Sequence, residues 1–377
     1  MRVAVPREIA DGEKRVAAVP ATVEKMVKAG IEVWVEAEAG RASGFADAEY
    51  REAGATVQPG AQVTLQGADL VAKVQKPLKL PDGHELDRFP EGAALIAYSL
   101  RARDDPQLAE KLRARRVTAL SLDLVPRIAR AQNMDVLSSM ANIAGYKSVL
   151  LAANAIPKFF PMLMTAAGTI LPAKVFVLGA GVAGLQAIAT ARRLGAVVTG
   201  FDIRPVVKEQ VESLGARFVA VGLEEHAEDA KGYAKEVSAE AAAKERDLIA
   251  RELKATDVSI TTALVPGKRA PVLITADMVR GMRMGSVIVD LAAEQGGNCE
   301  LTEPGKEVVK HGVLILGPVN LVSTMAFQAS QLYARNVLNF LLQIFDKKAG
   351  KLALDVGDEV VKACLVARAG ELLQSVS

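Results

Sequence analysis

The stretch VFVLGAGVAGLQAIATARRLGAVVTGFDIRP, Val175 to Pro205, decides the fold. It opens on an apolar run, Val175 to Leu178, short enough for a buried strand. Gly179, Gly181 and Gly184 follow in the order G-x-G-x-x-G. A helical pattern runs from Ala183 to Leu194, and Gly195 stops it. A second apolar run, Val197 to Phe201, ends in Asp202. The order is strand, glycine turn, helix, strand, acid.

Each element has a physical task. Gly179 permits the tight turn, Gly181 lets backbone approach a pyrophosphate, and Gly184 lets helix and strand pack closely. The helix N-terminus presents free N–H groups and partial positive charge to phosphates, with Val182 in its first turn. Asp202 falls about 20 residues on, where a carboxylate hydrogen-bonds a ribose 2′-OH and repels a 2′-phosphate. The pattern therefore favours NAD(H) over NADP(H), with Arg204, two residues further on, weakening that inference.

Working outward, apolar runs at 175–178, 197–201, 257–261, 286–290 and 313–316 read as the strands of one nucleotide domain. A polar insertion, Glu224 to Lys254, interrupts them; its leading half reads as a solvated flap with Tyr233 at the tip. Upstream, the first ~120 residues alternate strand and helix, which argues a second parallel-sheet domain. Met134 to Ala155 and the stretch from Ser323, AFQASQLYARNVLNFLLQIF, carry long helical patterns. The expected fold is α/β: two Rossmann-like domains with parallel sheets, joined by two long helices. The domains are 1–136 plus 324–377, and 137–323.

Composition narrows the function. The chain has 377 residues, half of them hydrophobic, and a net charge of +2, which gives no field for nucleic acid. Two cysteines, Cys299 and Cys364, make no disulfide framework, and three scattered histidines, His84, His226 and His311, make no metal site. No metal is expected. The N-terminus has charge where a signal peptide needs an apolar core. The apolar stretches Phe159 to Ala173 and Val175 to Ala191 fall short of the ~20 clean residues of a spanning helix. Work at a membrane would need another chain.

Four motifs carry a resemblance: VAVPREIADGEKRVAAVP at the start, PRIARAQNMDVLSSMANIAGYKSV, the KGYAKE flap, and VIVDLAAEQGGNCELTEPGK. Over nearly its whole length the chain resembles the alanine dehydrogenase/pyridine nucleotide transhydrogenase family. Within it, the likeness is greatest to the NAD(H)-binding component (domain I, alpha subunit) of proton-translocating transhydrogenase. That resemblance implies a homodimer, with Met134 to Ala155 and the flap as interface elements. It implies hydride exchange between NAD(H) here and NADP(H) on a partner subunit. Of the Si-specific and Re/Si-specific classes it favours the Re/Si-specific, proton-translocating one. It also implies a membrane-spanning proton-channel subunit, and a cytoplasmic chain peripherally attached to the inner face of the membrane through its partners. By resemblance, Arg127, Asp135 and Ser138 hold the carboxamide and ribose, and Gln132 bridges toward the second nucleotide. The cofactor-binding set is Gly179, Gly181, Val182, Gly184, Asp202, Ile203, Arg204, Leu264 at a strand end, and Gly232 and Tyr233 on the flap. Asp135 or Asn133 also has a plain reading, as N-cap of the long helix.

Two other readings stand beside this one: a self-contained alanine dehydrogenase, and an NAD-binding subunit without turnover. The dehydrogenase branch is expected to use an arginine, a lysine, a histidine and an aspartate. Here those positions read Arg15, Gln75 between Lys73 and Lys76, Leu100, and Glu294. Losing the lysine and the histidine removes the polarising cation and the acid/base group. Arg15 also reads as a structural ion-pair residue.

Overall fold

A computed structural model describes residues 1–100, 105–221, 239–265 and 268–373. They form two compact units, 1–140 with 322–377, and 141–321.

The second unit is built on the Val175 stretch. Its seven strands lie in the order Arg217–Val219, Val197–Phe201, Lys174–Leu178, Val258–Thr261, Val287–Asp290, Val313–Leu316, Glu307–Lys310. The first six are parallel. Val175–Leu178, Val258–Thr261 and Val287–Asp290 are buried throughout, as strands covered on both faces must be. The chain starts at the middle strand, Lys174–Leu178, builds outward one way, then returns to build the other way from Val258–Thr261. This is the doubly wound order, and the switch point lies between those two strands.

Two features depart from the sequence reading. The edge strand Glu307–Lys310 runs antiparallel to its neighbour. His311 (φ 53°) and Gly312 (φ 78°) join the two strands in a tight hairpin, and two positive φ values suit such a turn. Its charged, half-exposed sequence hides it from a search for apolar runs. The second is a hairpin, Leu163–Thr165 with Gly168–Ile170, every residue of which is exposed.

The first unit holds an eight-stranded sheet. Its order is Glu371–Leu372, Leu365–Arg368, Thr118–Ser121, Ala94–Ala97, Leu70–Ala72, Arg2–Val5, Glu32–Glu36, Thr56–Gln58. Six strands from the N-terminal segment are parallel. Two strands from the C-terminal segment add at one edge, both antiparallel to their neighbours. The sheets are therefore parallel-rich rather than wholly parallel. Pro20 and Pro106 each open a helix, where a missing N–H costs nothing, and Asp105 caps the second by accepting from the Leu108 N–H.

The two long helices are Val136–Ala155 and Ala326–Gln343. The division between the units falls within the first. The return falls in the 3₁₀ turn Leu321–Met325, ahead of the second, which lies entirely in the first unit. By length and composition Val136–Ala155, with mean hydropathy 1.2, could cross a membrane, which the sequence reading did not register. Its Val149 and Ala152 are buried in the core of the second unit.

Candidate functional site

In the second unit the glycines are fixed by what surrounds them. Gly179 has φ +97°, and a Cβ there would lie 2.6 Å from Thr262 Oγ1. A Cβ on Gly184 would lie 1.8 Å from the Gly179 carbonyl oxygen, so helix Val182–Arg193 can leave the turn only from a bare residue. Gly181 differs. It is the extended N-cap of that helix, and a Cβ there would meet only Arg204 Nη2, at 3.9 Å. The backbone at Gly181 is thus open to a ligand, and the unpaired N–H groups of the first helical turn follow directly. These residues fit a pyrophosphate.

The second strand end is organised by Asp202, which is buried. Its Oδ2 accepts from the Ala180 N–H at 2.7 Å and from Arg204 Nη2 at 2.9 Å. Its Oδ1 accepts from Arg204 N at 3.0 Å and Nε at 2.9 Å. The sequence reading assigns this carboxylate outward to a ribose; here it also ties the glycine turn to Arg204. Ile203 lies half-buried between them. Glu245, on helix Ala239–Leu253, went unnoticed in the sequence. Burial raises its carboxyl pKa and the Asp202 charge adds to this, against the pull of Arg246. The shift marks a second acid within electrostatic reach of Asp202.

Thr262 closes the turn from the neighbouring strand, donating its hydroxyl to the Gly179 carbonyl at 3.0 Å. Leu264, two residues on, is exposed. Its loop is held by Asn298, whose Oδ1 accepts from the Ala263 N–H at 3.0 Å and whose Nδ2 donates to the Ala263 carbonyl at 2.8 Å. Asn298 in turn depends on Asp290. That fully buried carboxylate accepts from Thr261 Oγ1, Thr302 Oγ1 and the N–H groups of Ala292, Asn298 and Cys299. Five donors offset the cost of burying it. The signal was visible as an apolar run ending in an acid before QGGN, but nothing in the run says where the acid points. Gly232 and Tyr233, with the flap Glu224 to Ser238, lie outside the described residues.

Arg127, Gln132, Asp135 and Ser138 belong to the first unit. Arg127 and Gln132 are exposed, and Asp135 and Ser138 are half-buried. The structure joins the last two: Asp135 Oδ1 accepts from the Ser138 N–H at 2.9 Å, and Oδ2 from its hydroxyl at 2.6 Å. Asp135 is therefore the N-cap of Val136–Ala155. Gln132 lies in the 3₁₀ turn Ala129–Met134, seated on buried Ala131 and Met134.

Behind this loop the same unit holds a buried charged cluster. Glu13 takes Arg15 in a bidentate pair, Nε at 2.8 Å and Nη2 at 2.6 Å, and also accepts from Gln75 Nε2 at 2.6 Å. Burial alone would raise the Glu13 carboxyl; the Arg15 guanidinium overrides it and holds the group at about 2. Lys73, fully buried, bridges Glu85 at 2.8 Å and Glu8 at 3.3 Å. Arg15 thus has an internal carboxylate, Gln75 is spent on the same carboxylate, and Leu100 is fully buried. Glu294 accepts from the Asn320 N–H in the other unit. Among the described residues, no group of three or more His, Cys, Asp or Glu is arranged for a metal ion.

The chain matches the family model described as "Alanine dehydrogenase/PNT, N-terminal domain" over residues 4–144 and "Alanine dehydrogenase/PNT, C-terminal domain" over 148–375. It is 50% identical over 376 residues to an NAD(P) transhydrogenase subunit alpha polypeptide of Rhodospirillum rubrum, covering 99% of this chain and 98% of that one. The crystal structure of a transhydrogenase from Sinorhizobium meliloti superposes with a TM-score of 0.89 at 43% identity, covering 99% of this chain and all of that one. An L-alanine dehydrogenase structure superposes with a TM-score of 0.83 at 30% identity, covering 99% of this chain and 97% of that one. With both family models matched and these likenesses nearly end to end, the chain belongs to the alanine dehydrogenase/pyridine nucleotide transhydrogenase family.

Proposed function

We propose that the chain is the NAD(H)-binding subunit of a proton-translocating transhydrogenase of the Re/Si-specific class, exchanging hydride with NADP(H) held on a second polypeptide. The observation that carries this reading is an open dinucleotide turn in a chain without the dehydrogenase branch's proton-handling side chains. Gln75 is bound to Glu13, and Leu100 is buried where that branch needs an acid/base group. The near end-to-end likeness to a transhydrogenase alpha subunit supports it.

Bound NAD(H) supplies the hydride chemistry, which moves no exchangeable proton. The residues of this chain bind and orient. Gly181 and the first turn of Val182–Arg193 receive the pyrophosphate, and Asp202 receives the adenine ribose. Arg127, Asp135 and Ser138 hold the carboxamide and ribose of the nicotinamide half. Gln132, exposed on a turn with buried anchors, aligns the donor and acceptor rings; such alignment needs reacting carbons roughly 3–3.5 Å apart. Leu264, Gly232 and Tyr233 complete the cofactor set.

The reading entails an NADP(H)-binding subunit and a membrane-spanning subunit as partners, the latter attaching this chain peripherally to the cytoplasmic face. It also entails a homodimer, for which the exposed, uncharged hairpin Leu163–Ile170 is a further interface element; light scattering at micromolar concentration reads that directly.

The test is reconstitution with the NADP(H)-binding partner. The mixture should reduce an acetylpyridine analogue of NADP⁺ from NADH, and the chain alone should leave alanine with NAD⁺ unreacted. Alanine oxidation by the chain alone would replace this reading with the dehydrogenase. Neither reaction with an authentic partner present would leave a binding-only subunit.

A further inference from the structure

The turn that carries Gln132 is gripped on both sides by the C-terminal segment. Asn336 Nδ2 and Asn339 Nδ2 both donate to the Asn133 carbonyl oxygen, each at 2.9 Å. They lie three residues apart on helix Ala326–Gln343, so one face presents both amides to one carbonyl and fills both its lone pairs. On the other side, Arg130 Nη1 and Nη2 donate to the two carboxylate oxygens of Asp358 at 2.9 and 3.2 Å. Asp358 is itself fixed. It caps Glu359–Cys364 through the Val360 and Val361 N–H groups and accepts from Gln343 Nε2, the last residue of the same long helix.

Asn336 makes the arrangement informative. It is 5% exposed, and its Oδ1 is buried without a hydrogen-bond partner among the described residues. An unpaired buried acceptor costs more than one neutral hydrogen bond returns. As a stability device, Asn336 is therefore inferior to a leucine of similar size. What leucine could not do is donate to Asn133.

We propose that Asn336 and Asn339, with the Arg130–Asp358 pair, are positioning residues that hold the backbone on either side of Gln132 in the geometry needed for hydride transfer. This rests on the reading of Gln132 as the group that aligns the two rings. A shift on the order of 1 Å at such a group can cost about 10²-fold in rate. Two anchors, two residues before Gln132 and one after, restrain its backbone against shifts of that size.

The test compares Asn336→Leu, Asn339→Leu and the double variant, as full chains with the NADP(H)-binding partner, alone and combined with Gln132→Asn. Three quantities are read: unfolding midpoint, NADH dissociation constant, and single-turnover transfer to the acetylpyridine analogue. The expected result is an unchanged or raised midpoint for Asn336→Leu, NADH binding within about twofold of native, and a double variant about tenfold slower in transfer. In the Gln132→Asn background the same substitutions should slow transfer no further, because they act through that side chain. A stability loss that tracked the rate loss would mean a merely structural role and overturn the proposal. So would native-rate transfer by the double variant, or an equal extra loss in the Gln132→Asn background. If Asn336→Leu failed to fold, Asn339→Leu, at the less buried of the two positions, gives the same comparison. If Gln132→Asn itself transferred at the native rate, the alignment reading would fall, and this proposal with it.

Discussion

The Ala180 N–H donates to Asp202 Oδ2 at 2.7 Å, so the acid at the end of one strand holds the glycine turn at the end of its neighbour. Asp202→Ala should therefore act twice, loosening the turn and removing the ribose partner. NADH binding should weaken by roughly 1–3 kcal/mol, the scale of a polar group left unpaired. Arg204, released from the Asp202 carboxylate, would then be able to meet a 2′-phosphate, so the preference for NADH over NADPH should narrow. Fluorescence titration of native and variant chains with both nucleotides reads this. Superimposable curves for the two nucleotides on the native chain would end the specificity argument.

The glycines should separate binding from folding. Gly181→Ala adds a Cβ that meets only Arg204 Nη2 at 3.9 Å, so the unit should fold normally while NADH affinity drops. Gly184→Ala puts a Cβ 1.8 Å from the Gly179 carbonyl oxygen, and backbone must move. That variant should lose stability and binding together. Denaturant unfolding beside NADH titration distinguishes the two, and a stable Gly184→Ala chain would contradict the packing described.

Gln132→Asn and Arg127→Ala should fail differently. Shortening Gln132 by one methylene draws its amide back by roughly 1 Å, which can cost about 10²-fold in transfer with NADH binding nearly intact. Arg127→Ala should weaken NADH binding too, since Arg127 is assigned to the carboxamide. Single-turnover transfer with the partner present, set against NADH affinity, resolves them. Native-rate transfer by Gln132→Asn would remove the alignment role.

The buried cluster predicts two opposed pH slopes. Glu13 is held at about 2, below its usual 4.5, so its pairing with Arg15 stabilises the fold fully above about 4.5. That contribution, on the order of 3 kcal/mol, is lost as pH falls from 4.5 through 2. Glu8 goes the other way. Burial raises its carboxyl against the pull of Lys73, and the charges of Glu85 and Glu13 add to the rise. Three carboxylates face two cations there, and a proton on Glu8 restores the balance. Its contribution is greatest below 4.5 and declines as pH rises through the raised value. The stability of Glu8→Gln relative to native should therefore increase with pH upward from 4.5. Urea midpoints across pH 4 to 8 measure it, and a pH-independent difference would show Glu8 ionised throughout.

The parallel strands were legible because a strand covered on both faces is a short apolar run, and each run in the second unit recurs within a residue or two of its reading. Glu307–Lys310 and the exposed hairpin were not, since the first alternates charge at an edge and the second has no buried face. The glycine turn and its acid could be read from spacing alone. Asn298, Asn336, Asn339 and Glu245 could not. A polar residue's task is set by what the fold brings opposite it, and those partners lie far away in sequence, as Asn133 does from Asn339. Gly145 is similar: a Cβ there would lie 2.1 Å from the Ala183 carbonyl oxygen, yet in sequence it is one more small residue in a long helix.

The eight-stranded sheet has a consequence for how the molecule is made. Leu365 pairs with Leu120, so the strand that extends this sheet leaves the ribosome after the whole of residues 141–321. The nucleotide-turn unit is contiguous and can close on itself during synthesis, as domains commonly do. The unit that carries Gln132 must wait with an open sheet edge, and its turn is without Asn336, Asn339 and Asp358 until the last stretch emerges. Nascent chains halted near residue 321 should therefore hold a finished nucleotide fold beside an unfinished hydride-aligning loop.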